Sequence, residues 1–160
     1  MIFTKKIYDA GHEIGNHSYT HPHMAELSEA EILSELYQTQ QLLDQITGGN
    51  EGLKLFRFPY GSKNGDAVRL VENQGFIPVT WTVDSKDWTG ISAEQVYDNV
   101  MRSEHLEHGA IILMHTSGEH TLEALDLLIP SNKTLFVCLL YSPYLYFPIV
   151  CGIIREKYAR

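Results

Sequence analysis

Two histidines separated by three residues are the first candidates for chemistry. They are His17 and His21, in the run HSYTH. Imidazoles four positions apart face the same way on one helical turn and can then share a metal ion. The alternative is a pair of surface histidines, or one histidine that caps a helix. A catalytic zinc ion normally takes three protein ligands and one water. The third ligand would come from Asp84, Asp87 or another loop, or it is absent from these 160 residues.

An arginine followed by a proline-stiffened turn is the second candidate. Arg57 and Tyr60 belong to the run RFPYG. An arginine can hold a carboxylate with two parallel hydrogen bonds. The backbone amides of the turn could face an oxyanion. The alternative is an ordinary corner between a strand and a loop.

Two further runs supply carboxylates, an indole and a histidine. In DSKDW, Asp87 precedes Trp88, whose apolar face can stack on a sugar ring or can cover the edge of the core. In LMH, Leu113 and His115 end an apolar run. A histidine in this setting is often structural, but beside a carboxylate it can act as a general acid. The other histidines are expected to be solvated or to cap helices: His12, His23, His105, His108 and His120.

Alternating strands and helices must position these side chains. Strands are expected at 12–16, 54–57, 76–83 and 110–114, and helices over the residues before Gly11 and at 28–46, 66–74, 92–104 and 121–128. This alternation predicts βα units with right-handed crossovers in a parallel sheet or barrel. Each strand is followed by candidate site residues, and ligand sites of parallel α/β folds lie at the carboxyl ends of the strands. We therefore expect one site at that edge.

The composition is that of one ordinary soluble domain. Of the 160 residues, 44% are hydrophobic and 20% are charged, and the formal net charge is −8. A nucleic-acid-binding function is excluded because no stretch concentrates positive charge. Anionic membranes and polyphosphates are disfavoured for the same reason. Cys138 and Cys151 are far in sequence from the histidine pair, so no Cys/His zinc site is predicted.

The two ends of the sequence suggest an incomplete domain. The first eleven residues lack the features of a signal peptide and resemble the last turns of a helix, so preceding structure is expected to be missing. Residues 135–154 carry no charge and are long enough to span a bilayer. Pro143 and Pro148 make this segment a poor membrane helix, so membrane contact is not favoured. We expect a partial domain over 1–130 and an apolar tail over 131–160.

The four runs, in this order and spacing, resemble motifs of the polysaccharide deacetylases, carbohydrate esterase family 4, which have a NodB homology domain. The resemblance covers about residues 5–130. It implies a distorted (β/α) barrel and the metal-dependent removal of N-acetyl groups from chitin-like or peptidoglycan sugars. Acetylated xylan suits the same core, because specificity lies in variable loops. The resemblance further implies an extracellular or cell-envelope location, and we expect a monomer that acts on a polysaccharide.

The resemblance implies a role for each residue. His17 and His21 would be ligands of a divalent metal, usually zinc. The backbone amide of Tyr60 would help to hold the oxyanion, and Arg57 would orient the catalytic carboxylate.

In the other two motifs, Asp87 would tune His115, which would be the general acid that protonates the leaving amine. Leu113 and Trp88 would line the pocket that receives the acetyl methyl group.

One motif of the family is absent from the sequence. The Thr-Phe-Asp-Asp-Gly run of the opening strand supplies the catalytic base and the third metal ligand, and before His17 the only carboxylates are Asp9 and Glu13. We therefore expect an incomplete barrel without its first βα units, and an isolated chain that is inactive. Two alternatives remain: a catalytically dead relative that binds carbohydrate, and a membrane-tethered envelope protein.

Overall fold

The computed structural model describes the backbone of residues 2–49, 52–131, 136–141 and 150–154, and the side chains of 4–49 and 52–130. The chain divides into two compact units. The first contains the described residues up to 80 together with 150–151, and the second contains 81–131, 136–141 and 152–154.

The first unit is built from three helices and three short parallel strands. The helices are α1 (Ile2–Asp9), α2 (Glu29–Thr47) and α3 (Gly65–Asn73). The strands are β1 (Glu13–Asn16), β2 (Leu55–Arg57) and β3 (Ile77–Val79). β2 lies between its two neighbours, with Phe56 opposite Asn16 on one side and opposite Pro78 on the other. β1 and β2 therefore end side by side, immediately before the site residues.

The core of the first unit is the layer between these strands and α2 and α3. Its buried members are Met24, Ile32, Leu36, Phe56, Phe58, Ala67, Val71 and Phe76. α2 begins with a reciprocal capping box between Ser28 and Glu31 and ends at Gly48, whose φ of 71° is left-handed. The buried face of α2 fixes this helix against β1 and β2. The same helix lies beside the loop that carries the two histidines.

The second unit also alternates helices with parallel strands. It contains β4 (Val83–Asp84), α4 (Ala93–Met101), β5 (Ile111–His115), α5 (Thr121–Ser131) and β6 (Phe136–Tyr141). The three strands are parallel, with β5 in the middle. Leu113 lies opposite Asp84, which brings the ends of β4 and β5 to the same edge. A further strand, β7 (Val150–Ile154), contributes residues to both units.

Alternation along β5 separates its core side chains from its candidate site residues. Ile112 and Met114 are fully buried and pack with Val96, Val100 and Leu128 of α4 and α5. Successive side chains of a strand point to opposite faces. Leu113 and His115 therefore share the other face of β5.

The predicted helices and strands are found, with one clear error. A single strand over 76–83 is wrong, because β3 pairs with β2, whereas Thr82 and Val83 pair with β5. The backbone N–H of Thr82 donates to the carbonyl of Ile111 at 3.0 Å. The apolar and β-branched composition runs through both strands without a break. The change of partner therefore leaves no mark on the sequence pattern.

The apolar segment 135–154 is described in part. Its described backbone forms β6 and β7, while residue 135 and residues 142–149 lie outside the described residues. Among the helices that the structure describes, none has the length and apolar character that crossing a membrane requires.

Candidate active site

The loop between β1 and the following 3-10 turn carries both histidines, but not on a helical turn. Residues 17–21 do not form the helical turn on which two such imidazoles would face the same way, because Ser18 has a φ of 70° and His21 a φ of 60°. Left-handed backbone at residues other than glycine is uncommon and costs about 1–3 kcal/mol each. The two imidazoles nevertheless lie together, with ring centroids 5.0 Å apart in an edge-to-face arrangement. The loop thus brings the two rings together without a helical turn.

Hydrogen bonds from neighbouring side chains hold this loop. Asn16 Oδ1 accepts from the N–H of Ser18 at 3.0 Å, and the hydroxyl of Ser18 accepts from the N–H of His21 at 3.0 Å. The carboxylate of Glu35 in α2 accepts from the two N–H groups between them. Four successive backbone donors therefore have side-chain acceptors.

The hydrogen bond of His17 fixes which ring nitrogen can bind a metal. Nδ1 of His17 lies 2.6 Å from the carbonyl oxygen of Arg57, at the end of the adjacent strand. A carbonyl oxygen only accepts, so Nδ1 carries the proton and, in the neutral ring, Nε2 carries the lone pair. Metal-binding histidines commonly donate their other N–H to a backbone carbonyl. The chemistry of this pair therefore fits a divalent ion such as Zn²⁺.

A third ligand does not accompany the two histidines in the described part of the chain. Among the described residues, no group of three or more His, Cys, Asp or Glu side chains is placed to hold a metal ion. A catalytic zinc site takes three protein ligands, whereas only two candidate ligands lie together here.

Arg57 and Tyr60 follow β2 in contrasting environments. The Arg57 side chain is only 2% exposed, whereas Tyr60 is 62% exposed. Tyr60 also has a left-handed backbone, with a φ of 56°. Its ring lies 4.4 Å from the ring of His21 and stacks on His23 at 4.2 Å. His23 is exposed and precedes the 3-10 turn Met24–Glu26, in agreement with the expectation of a solvated or capping residue, and it also stacks on Tyr60.

Asp87 and His115 form the central contact of the second unit. Oδ1 of Asp87 lies 2.8 Å from Nδ1 of His115, and the Asp87 side chain is completely buried. Oδ2 accepts from the backbone N–H of His115 and, at 2.7 Å, from the hydroxyl of Thr121. The His115 side chain keeps 21% of its surface exposed. Because the carboxylate engages Nδ1, Nε2 is the ring nitrogen that remains for contact with a ligand.

The pKa of Asp87 reflects two opposing effects. Burial raises it, but the hydrogen bonds from His115 and Thr121 outweigh burial and lower the pKa below the ordinary aspartate value. Asp87 is therefore ionised at neutral pH despite its burial.

Two residues that complete this cluster, Thr121 and Gly118, were not predicted from the sequence. Thr121, the first residue of α5, is 2% exposed and donates to Asp87. A Cβ at Gly118 would overlap the Thr121 hydroxyl and lie 3.0 Å from Oδ2 of Asp87. Thr121 was interpreted only as the start of a helix, and its partner lies 34 positions away. No local signal could have found this contact.

Asp84, Trp88 and Leu113 lie near the ends of β4 and β5. Asp84 accepts from the N–H of Lys86 and forms an ion pair with its ammonium group at 2.9 Å. Trp88, on the 3-10 turn Asp87–Thr89, is 58% exposed, and Leu113 is 5% exposed. Four predicted site residues, His17, His21, Arg57 and Tyr60, thus lie in the first unit. The other four, Asp87, Trp88, Leu113 and His115, lie in the second.

Comparisons with known proteins agree with these motifs. Residues 3–79 match the family described as Polysaccharide deacetylase. The peptidoglycan-N-acetylglucosamine deacetylase of Bacillus cereus is 37% identical over 134 residues, which are 81% of this chain and 47% of that protein. The bifunctional xylanase/xylan deacetylase of Cellvibrio japonicus is 38% identical over 109 residues, which are 68% of this chain and 16% of that protein. The chain spans less than half the length of either relative.

Solved structures include active and inactive relatives. A peptidoglycan N-acetylglucosamine deacetylase in complex with a benzamide ligand has a TM-score of 0.75 at 32% identity, and the match covers 91% of this chain and 68% of that one. A pseudoenzyme of carbohydrate esterase family 4 from Bacillus anthracis has a TM-score of 0.72 at 40% identity, covering 81% of this chain and 44% of that one. A mutant of that pseudoenzyme with restored enzymatic activity scores 0.73. The predicted α/β class of the NodB type is confirmed, and the chain belongs to the polysaccharide deacetylase family.

Proposed function

We propose that this chain carries the metal-binding and proton-donating residues of a carbohydrate N-deacetylase that hydrolyses N-acetyl groups of amino-sugar polymers. The contact between Asp87 and His115 is the observation that carries the proposal. A fully buried carboxylate that orients a partly exposed imidazole is an arrangement suited to a general acid. Relatives named as peptidoglycan and chitin deacetylases support amino-sugar polymers as the substrate class.

Each of the four candidate site residues of the second unit has a role in the proposed reaction. Water adds to the acetyl carbon, the C–N bond breaks, acetate leaves and the sugar nitrogen takes a proton. In our proposal Nε2 of His115 gives that proton, while Asp87 orients the ring through Nδ1. The exposed indole of Trp88 stacks on a sugar ring, and Leu113 contacts the acetyl methyl group.

The residues of the first unit have proposed roles in holding a metal ion and in stabilising the oxyanion. We propose that His17 and His21 hold a divalent ion, and that this ion is Zn²⁺. A bound divalent ion supplies Lewis-acid polarisation of a carbonyl and activation of water. The backbone N–H of Tyr60 holds the developing oxyanion, and Arg57 orients a catalytic carboxylate.

We further propose that these 160 residues alone do not release acetate. The sequence contains no Asp-Asp pair, so the base that would deprotonate water is not among its residues. The likeness to a pseudoenzyme at 40% identity favours a second candidate function, in which the protein binds carbohydrate without hydrolysing it.

Acetate release from N-acetylglucosamine oligomers and from peptidoglycan, measured with added Zn²⁺, tests the first candidate. We expect none from the 160-residue chain. We expect release from a chimaera in which the opening strand and helix of the Bacillus cereus relative precede residue 1. His115→Gln should abolish that release, whereas His105→Gln, which changes an exposed histidine outside the motifs, should not.

Each other result has a meaning. Acetate released by the 160 residues would overturn the proposal that they lack the base. A folded chimaera without activity would favour the second candidate. Calorimetric titration with chitin oligomers then measures binding, which Trp88→Ala should abolish and Trp81→Phe should leave unchanged.

A further inference from the structure

We infer that Glu35 is a positioning residue that holds the loop 17–21 in the conformation in which both imidazoles can bind one metal ion. The inference deepens the proposed function and rests on the metal-binding role that it gives His17 and His21. Glu35 lies in the second turn of α2, outside all four motifs.

One carboxylate makes three hydrogen bonds to the loop. Oε2 of Glu35 accepts from the N–H of Tyr19 at 2.7 Å and from the N–H of Thr20 at 2.6 Å. Oε1 accepts from the hydroxyl of Thr20 at 2.6 Å. Hydrogen bonds to an ionised acceptor are short and about twice as strong as neutral ones. Glu35 therefore grips the two residues that lie midway between the histidines.

The loop has a conformation that needs such support. Ser18 and His21 are both left-handed, and this backbone persists only where surrounding contacts over-determine it. Asn16 and Ser18 support the ends of the loop through its outer N–H groups. Its middle, Tyr19 and Thr20, is exposed and would otherwise face only water. Glu35 supplies the acceptor there.

The same helix is fixed independently on its other face. Leu36 is fully buried in the core, and its carbonyl accepts from the side-chain amide of Asn16 at 2.9 Å. The position of the Glu35 backbone is therefore set by the core. Removing the carboxylate should loosen the loop and leave α2 in place.

Hydrogen exchange of backbone amides in the metal-free chain tests the grip itself. In Glu35→Ala the amides of Tyr19 and Thr20 should exchange at least about tenfold faster, while the interior amides of α2 keep their protection. Glu35→Gln should recover part of the protection, because its carbonyl oxygen can still accept from both N–H groups. Glu31→Gln is the matched control, since it removes the same charge one turn earlier and keeps the capping box. Unchanged exchange of Tyr19 and Thr20 in Glu35→Ala would overturn the inference.

Zinc titration by calorimetry tests the consequence. We expect Glu35→Ala to weaken Zn²⁺ binding about tenfold, as for other residues that support metal ligands. Glu35→Gln should weaken it less, and Glu31→Gln should leave it unchanged. Equal affinity in Glu35→Ala and wild type would overturn the positioning role alone. If the wild-type chain binds no Zn²⁺, the metal-binding proposal fails together with the positioning role toward it. The exchange measurement then still decides whether Glu35 holds the loop.

Discussion

Asp87 shows how a buried charge becomes useful. Its carboxylate has no exposed surface, and removing an ion from water is costly unless hydrogen bonds replace the lost solvent. Two donors from His115 and one from Thr121 supply that replacement. Because these donors lower the pKa of Asp87 against the effect of burial, folding is coupled to pH at this residue.

Asp87→Asn should lower the free energy of unfolding by about 2 kcal/mol at pH 7, because one donor would then face the amide NH₂ group. A lowered pKa gives stability that is present above the ordinary aspartate pKa and is lost as the pH falls through the lowered value. The difference between variant and wild type should therefore shrink below about pH 4. Urea unfolding at a series of pH values measures it.

Asp98→Asn is the control for that series, since Asp98 is 45% exposed and forms only a surface ion pair with Arg102. A penalty for Asp87→Asn that stays constant down to pH 2 would contradict the linkage.

Thr121→Ala should raise the pKa of Asp87 toward its ordinary value, because one of the hydrogen bonds that lower it is removed. Thr121→Ser should keep the low pKa, since it retains the hydroxyl. NMR titration of the Asp87 carboxyl carbon measures both variants. Identical titration curves for Thr121→Ala and wild type would show that the hydroxyl is not a significant partner.

The types and positions of the candidate site residues were easier to predict from the sequence than the contacts between side chains. The strand pattern predicted that Asp87 and His115 would both lie at the carboxyl edge of a parallel sheet, and the family resemblance implied their contact. Oδ1 of Asp87 and Nδ1 of His115 are 2.8 Å apart. Glu35 and Thr121 were missed, because each contacts residues at least 15 positions away through side-chain hydrogen bonds. Periodicity and motif spacing carry no information about such contacts.

Among the elements, helices were predicted better than loops and strand ends. Both capping boxes begin helices as expected, at Ser28 and Ser92. The conformation of the histidine loop was not predicted, because its left-handed residues are serine and histidine rather than glycine, so composition does not reveal them. The strand predicted over 76–83 proved to be two, because continuous apolar character hides a change of pairing partner.

The tight loop between β5 and α5 gives a prediction at this scale. Gly118→Ala should lower the free energy of unfolding by about 1–3 kcal/mol, because the new methyl group would overlap the Thr121 hydroxyl and press on Asp87. In a Thr121→Ala background the same substitution should cost less, since the overlapping atom is gone. A double-mutant cycle by urea unfolding measures the coupling, and additive effects would rule out the contact as the cause.

For the whole molecule, the alternation of strands and helices was sufficient to predict an α/β fold with parallel strands. The division of the described chain into two compact units was not predicted. It falls between Thr80 and Trp81, inside the apolar run 76–83 that was expected to form one strand. The net charge of −8 also belongs to this scale, because it disfavours polyanionic partners without selecting any particular sugar polymer.

Zinc should stabilise the whole chain by mass action if His17 and His21 bind it only in the folded state. At a free Zn²⁺ concentration one hundred times the dissociation constant, the gain is about 2.7 kcal/mol. Thermal unfolding should therefore shift upward with Zn²⁺, return with EDTA, and show no shift in His17→Ala. His105→Ala should behave like wild type, and an equal shift in His17→Ala would place the zinc elsewhere.

The hydrogen bond of His17 to the Arg57 carbonyl has a consequence for how this protein tolerates mutation. Its acceptor is a main-chain atom, which every amino acid at position 57 provides. A substitution at position 57 therefore removes the guanidinium but keeps the hydrogen-bond acceptor. The orientation of the His17 ring does not depend on the side chain at position 57. In a saturation scan, positions 17 and 57 should vary independently for folding and ring orientation although they are in direct contact. Sequence covariation would overlook this pair.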